Sequence, residues 1–457
     1  MSELTAPASS PAPADARGAM LRDGPILPTL ARLSLPNLIA MCSSAIVSIA
    51  ETAYVGSLGV ASLGGIALAF PFFMLMQMLS GGAMGGTVSG AISRALGRNE
   101  QDRGQALALC SLAIGLVFGL LFMLVILLGG PAIFRKLGGS GPVLDEAIAF
   151  SSVAAFAIIP IWATNMLASA ARGSGNMALP AVTLLVAGLV QVAVGGVLGL
   201  GLGPAPRLGI AGVAIGQLVA FAGSAVVLLA YLRSAKARLR LHFAPRYLTR
   251  DRFAELLRVG AIAMLSPLLS VSTVLLLTTL VARFGPEALA GYGIGVRFEF
   301  LLIPIAFSVG VACVPMVGTA IGAGNVPRAR RIAWTAGALA ACVLGSLGAL
   351  MVLKPGLWVD MFTDNAAVAA TAYTYLRIAG LTCAVFGLGL CLYFASQGAG
   401  RVGGAITAQG LRLAVVAVGG WALTAMAAPL WTVFALSAVA MLPMGLGTAL
   451  FIKLAKW

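Results

Sequence analysis

The sequence predicts an all-α integral membrane protein of twelve transmembrane helices in two six-helix lobes, with both termini in the cytoplasm. Three observations predict it: the composition, the sorting of basic residues between apolar runs, and an internal repeat. Of the 457 residues, 60% are hydrophobic and 9% are charged, and the mean hydropathy is +1.02. Soluble domains carry about 45–50% apolar and ~25% charged residues, and their cores cannot hide this much apolar surface. A bilayer can. In lipid every backbone N–H and C=O needs an internal partner, which leaves helices or closed barrels. The apolar runs are about 20 residues long, without period-two alternation, so helices are expected.

A window of about 19 residues finds twelve spans. Their cores are 33–55, 61–88, 105–128, 147–170, 179–202 and 208–232, then 257–282, 288–314, 329–352, 371–395, 403–426 and 430–453. Residues 1–25 are rich in Ala, Pro and Ser, without the apolar stretch of a signal peptide, and read as a disordered cytoplasmic tail. The expected divisions are this tail, a first lobe over 26–232, a basic linker over 233–256 and a second lobe over 257–457.

The loops test the count. With the N-terminus inside, even-to-odd loops should hold the Lys and Arg. Arg94, Arg98 and Arg103 follow span two, and Arg172 follows span four. Arg233, Lys236, Arg238, Arg240, Arg246, Arg250, Arg252 and Arg258 crowd the link between spans six and seven. Arg328, Arg330 and Arg331 follow span eight, Arg401 follows span ten, and Lys453 and Lys456 end the chain. The opposite side holds only Arg135, Lys136, Arg207, Arg283 and Lys354. A miscounted span would scramble this separation.

The repeat has a fixed offset. SRALGRNEQDRG (93–104) after span two has a counterpart in GTAIGAGNVPRARR (318–331) after span eight, and ARGSGN (171–176) has one in SQGAGR (396–401). Both pairs shift by 225 residues, while SLGVASLGG (57–65) echoes RFGPEALAG (283–291) at 226. Both halves therefore share one orientation, a parallel repeat of the kind found in secondary transporters.

Several classes are excluded. No phosphate-binding G-x-x-x-x-G-K-[ST] loop occurs, and no soluble segment is long enough for a nucleotide-binding domain. The single histidine, His242, lies in the basic linker, and the six cysteines fall inside apolar runs as packing residues. The net charge of +15 is explained by the membrane-flanking loops, so no nucleic-acid partner is expected. No cofactor and no metal site are expected either.

Taken in order, the motifs resemble one family. ETAYVGSLGVASLGG (51–65), at the end of span one, is similar to the D-x-[AF]-[FY]-[VI]-G…LG…LA pattern of MATE (multidrug and toxic compound extrusion) transporters. GYGIGVRFEFLLIPIAFSVGVACVPMVGTAIGAGNVPRARR (291–331) resembles the family's span-eight region, and ARGSGN and SQGAGR its glycine turns after spans four and ten. The resemblance covers about residues 26 to 453. It implies a V-shaped bundle in the cell's inner membrane that exports amphipathic, cationic small molecules in exchange for H⁺ or Na⁺. A monomer is expected, with the bilayer and its substrates as partners.

Glu51 is the first candidate for ion coupling, because an acid within a span is expensive and marks an ion or proton pathway. By the resemblance it takes the place of the family's span-one aspartate. That site also draws an Asn and an Asp, four residues apart, from span five, and the matching positions here are Gln191 and Gly195. The second acid is missing. Na⁺ needs several oxygen ligands, so the expectation leans to H⁺. Glu299 and Arg297 form a second constellation in span eight. Being two apart, they do not face each other on a helix, and each is expected to find a partner elsewhere in the second-lobe cavity. Arg297 is the one cation read as a cavity group. The scarcity of such cations argues against the nearest rival, a lipid-linked precursor flippase of the same superfamily. An uncoupled channel or receptor fits the repeat and Glu51 less well. Gln77, Asn165, Gln191 and Gln217 are further candidates for lining the cavity, each with an interhelical hydrogen bond as the plainer reading. Pro36, in span one, frees a carbonyl and is the candidate hinge.

Overall fold

The structure is a computed structural model that describes residues 13–455. Among those residues there is no strand. Eleven helices are long and apolar enough to cross a membrane, and a bent pair supplies the twelfth crossing. The first six spans are Ile26–Leu58, Val60–Gly97, Gln101–Lys136, Gly141–Gly173, Ala178–Leu200 and Ile210–Arg233. The last six are Arg250–Ala282, Pro286–Gly322, Val326–Leu353, the pair Ala366–Gly380 with Cys383–Ala399, Gly403–Ala425 and Leu430–Leu454. A helix rises 1.5 Å per residue, so about 20 residues cross the hydrocarbon. The spans of 33 to 38 residues therefore project beyond it.

Four features differ from expectation. The tenth span is not one straight helix but bends by 54° at Leu381 and Thr382. Part of the supposed disordered tail is helical: Pro13–Asp23 forms a helix whose Leu21 is fully buried, while residues 1–12 lie outside the described part. Arg17 donates to the Tyr231 hydroxyl at 3.2 Å, and Arg328 donates to the Gly24 carbonyl at 2.5 Å. That short helix therefore touches both halves. The basic linker is shorter than expected, because the seventh span starts at Arg250. It is also packed, since Leu239, Leu241 and Tyr247 are buried against the first half. Finally, two spans contain π-helical turns, Met78–Met84 in the second and Pro443–Gly447 in the twelfth.

The repeat reappears as geometry. A Cβ added to Gly173 would lie 2.8 Å from the Ser89 oxygen and 3.1 Å from Ile92 Cβ. Added to Gly398, it would lie 2.7 Å from the Val314 oxygen and 3.1 Å from Val317 Cβ. Every residue in the second set is the first shifted by 225. The turns agree as well: Asn99 (φ 63°) pairs with Gly324 (φ 74°), and Gly175 (φ 92°) with Gly400 (φ 75°). Asn is one of the few residues with a Cβ that tolerates this left-handed region.

One apolar core belongs to the first half, where Trp162 stacks on Phe118 and Phe122 at 5.3 and 5.8 Å. Another lies in the second half around Tyr375 and Phe434. A third draws on both, joining Leu21, Leu30 and Ala83 to Val314, Ile332 and Phe394. Near the Arg-rich end the two halves meet backbone to backbone. Arg94 donates to the carbonyls of Gln397 and Gly398 at 3.3 and 2.8 Å. Gln397 in turn donates to the carbonyls of Gly82 and Ala83, both at 3.4 Å. Gly97 lies on Thr319 and Gly322, and Gly318 on Ser93, with no room for a Cβ at either. Small residues allow such close helix approach.

Candidate functional site

In the first half, spans one, five and six build the site around Glu51. The Gln191 side-chain amide donates to Glu51 Oε1 at 2.6 Å. Tyr54, one turn on from Glu51, places its buried hydroxyl within electrostatic reach of that carboxyl. A Cβ at Gly195 would lie 2.9 Å from the Tyr54 hydroxyl. The space that a second acid would need at position 195 is therefore taken by Tyr54. Span five can sit this close because Gly216 of span six meets it without a side chain. A Cβ there would be 2.6 Å from the Gly195 nitrogen and 2.7 Å from the Gln191 oxygen. The result is one carboxylate with one amide donor and a neighbouring phenol, an arrangement suited to holding and releasing a proton.

Two other candidates meet each other. The Asn165 amide of span four donates to Gln77 Oε1 at 3.3 Å and to Ser80 Oγ at 2.8 Å. Ser80 lies in the π-helical turn of span two, an irregularity often found at functional sites. About two helical turns further along span four, Arg172 is buried and donates to Ser169 Oγ at 2.9 Å. Gln217 is part-buried and makes no side-chain hydrogen bond among the described residues. Pro36 lies inside a helix that runs unbroken from Ile26 to Leu58, and neighbouring Asn37 points its amide at Met177 Sδ, 3.6 Å away.

The second half holds a separate constellation. Glu299 accepts from the Tyr375 hydroxyl at 2.5 Å. Tyr375 packs edge-on to Tyr292 and Phe434, each 5.1 Å away between centroids. Arg412 of span eleven is buried, within electrostatic reach of Glu299 but forming no ion pair with it. Its hydrogen-bond partner is the weak acceptor Met444 Sδ at 3.5 Å, and its Nε has none. Arg297 does not share this site. It is exposed, and its guanidinium lies over the Phe362 ring at 5.9 Å. The residue two positions from Glu299 points elsewhere, as helical spacing requires. The intramembrane cation is instead Arg412, which the sequence reading passed over. Its trace was available, since Gly403–Ala425 has the lowest hydropathy of the eleven single-helix spans, 1.4.

The family model named MatE matches this chain twice, over residues 36–197 and 263–421. The chain belongs to the MatE family. The two matched segments fall on the two halves already seen in the packing. Among curated relatives, an "FAD transporter" of Shewanella oneidensis is 26% identical over 393 residues, covering 82% of each chain. A "Probable multidrug resistance protein NorM" of Deinococcus radiodurans is 28% identical over 386 residues, covering 81% of each. Among solved structures, a MOP-superfamily transporter from Pyrococcus furiosus superposes with a TM-score of 0.85 at 21% identity, covering 95% of this chain and 98% of that one. The fold is thus the twelve-helix MATE fold, and this MatE protein is a multi-pass membrane transporter.

Proposed function

We infer that this MatE transporter is a secondary active antiporter of the inner membrane. It exports amphipathic, cationic small molecules in exchange for H⁺, acting as a monomer with both termini in the cytoplasm. The observation that carries this reading is the Glu51 site. A lone carboxylate in a span, held by the Gln191 amide at 2.6 Å with Gly195 in place of a second acid, suits one proton better than a multiply ligated Na⁺. Closure of the halves at the Arg-rich, cytoplasmic end fits a state in which the cavity opens outward. The test is reconstitution of the native protein and Glu51→Gln in proteoliposomes, with a pH or a Na⁺ gradient imposed separately and efflux of a cationic dye followed. Dye movement driven by the pH gradient in the native protein and abolished in the variant is expected. Normal export by Glu51→Gln, or transport driven by Na⁺ at constant pH, would overturn the coupling scheme.

A second reading of the substrate is favoured by Arg412. A buried guanidinium with an unpartnered Nε offers a site for an anionic group on the cargo, and one relative is named a transporter of FAD, a dinucleotide. In the same vesicles, efflux of FAD that is lost in Arg412→Leu would favour anionic or zwitterionic substrates over cationic ones.

A further inference from the structure

A crevice of about 680 Å³ opens at the Arg-rich end, away from Glu51 and Glu299. Its walls come from both halves. Arg94 and Arg103 belong to the second span and the start of the third, while the first turns of span seven and the turn from Ala399 to Gly403 close it from the other side. The charged groups that line it are Arg94, Arg103, Arg258 and Arg401, against Asp251 and Glu255. Two of the four arginines are engaged. Arg94 is turned to the Gln397 and Gly398 carbonyls, and Arg103 pairs with Glu255 at 2.8 Å and Glu100 at 3.6 Å. Arg258 and Arg401 are exposed and have no partner among the described residues. The lining therefore carries surplus positive charge in the form of free guanidiniums, whose planar donors match phosphate oxygens.

The lining also changes character along span seven. Asp251, Glu255 and Arg258 come from its first turns, and Val259 and Ile262 follow toward the apolar part of the helix, with Ile262 38% exposed. Charged groups followed by an apolar stretch suit a headgroup with an acyl chain beside it, and basic pockets between helices at this end of membrane proteins bind anionic lipid headgroups.

We propose that this crevice binds a phosphate group, as the headgroup of an anionic lipid or as free phosphate. Because the walls come from both halves, the occupant favours the arrangement in which the Arg-rich ends are together, since a ligand shifts an equilibrium toward the state it binds better. The site is independent of the transport reading.

The test uses the full-length protein in lipid nanodiscs of phosphatidylcholine, with or without phosphatidylglycerol, compared with Arg258→Ala/Arg401→Ala. Both side chains are exposed and unpartnered, so this variant is expected to fold. A control, Arg135→Ala/Arg207→Ala, removes two exposed arginines from the opposite end. Phosphatidylglycerol carried into detergent is counted by native mass spectrometry, and the thermal midpoint is measured against inorganic phosphate. Loss of retention by roughly fivefold per arginine is expected in the first variant, with the control unchanged. A phosphate-dependent midpoint in the native protein alone, without lipid retention, would assign the site to free phosphate. Equal lipid retention and equal phosphate response in native protein and Arg258→Ala/Arg401→Ala would overturn the proposal.

Discussion

Gly97→Ala should open the seam between the two halves. Gly97 ends span two, and a Cβ there would be driven into the Thr319 carbonyl oxygen, 3.0 Å from Thr319 Cα and 3.1 Å from Gly322 Cα. All three neighbours are backbone, so no side chain can swing aside. Overpacking of this kind costs typically about 1–3 kcal/mol. The gain in helix propensity from Gly to Ala is common to closed and parted states and cancels between them. The whole penalty therefore falls on the closed state, and the ratio of parted to closed molecules rises by about 5- to 150-fold. Spin labels on Arg98→Cys and Ala323→Cys, both exposed turn positions on opposite sides of the seam, report this as a distance distribution. The exposed Cys42 and Cys342 are first replaced by Ser. Gly56→Ala is the control, because nothing lies within 4 Å of a Cβ at that glycine. An unchanged distribution in Gly97→Ala, or an equal shift in Gly56→Ala, would refute the steric argument.

Two further outcomes follow from the two sites. Tyr375→Phe removes the hydroxyl that donates to Glu299 at 2.5 Å, and leaving a buried hydrogen-bonding group unsatisfied costs about 1–3 kcal/mol. The variant should unfold at lower temperature in detergent, and in a cycle with Glu299→Gln the two losses should fall short of additive. Gly216→Val should force span six away from Gln191 and Gly195, weakening pH-driven dye efflux while the protein still reaches the membrane. Efflux at the native rate would show that the close approach of spans five and six is not needed to position Gln191.

Much of the fold was legible because membrane burial acts on simple averages. Hydropathy locates each span, loop arginines orient it, and a shared offset pairs Gly173 with Gly398. What escaped depends on single residues or on packing. Arg412 sits in a span whose apolar neighbours mask one charge. The break at Leu381 and Thr382 leaves the hydropathy of span ten intact, so no window finds it. The Pro13–Asp23 helix looked like an unstructured tail because its local composition is poor in apolar residues. It is docked by Leu21 and Arg17, partners separated from their contacts by long stretches of chain. At the site, Glu51 and Gln191 were readable as a pair because the resemblance supplied both positions. The role of Tyr54 in filling the space above Gly195 was not, since only the packed structure says which side chain enters a gap.

The seam of Gly90, Gly97, Gly318, Gly322 and Gly398 has a consequence for speed as well as fit. A long side chain immobilised at an interface gives up about 1.5–2 kcal/mol of rotamer freedom, and glycine gives up none. Each time these surfaces part and rejoin, the glycine contacts release no rotamers and recapture none. The side-chain search on reclosing is then confined to groups such as Arg94 and Gln397 that bond across the seam.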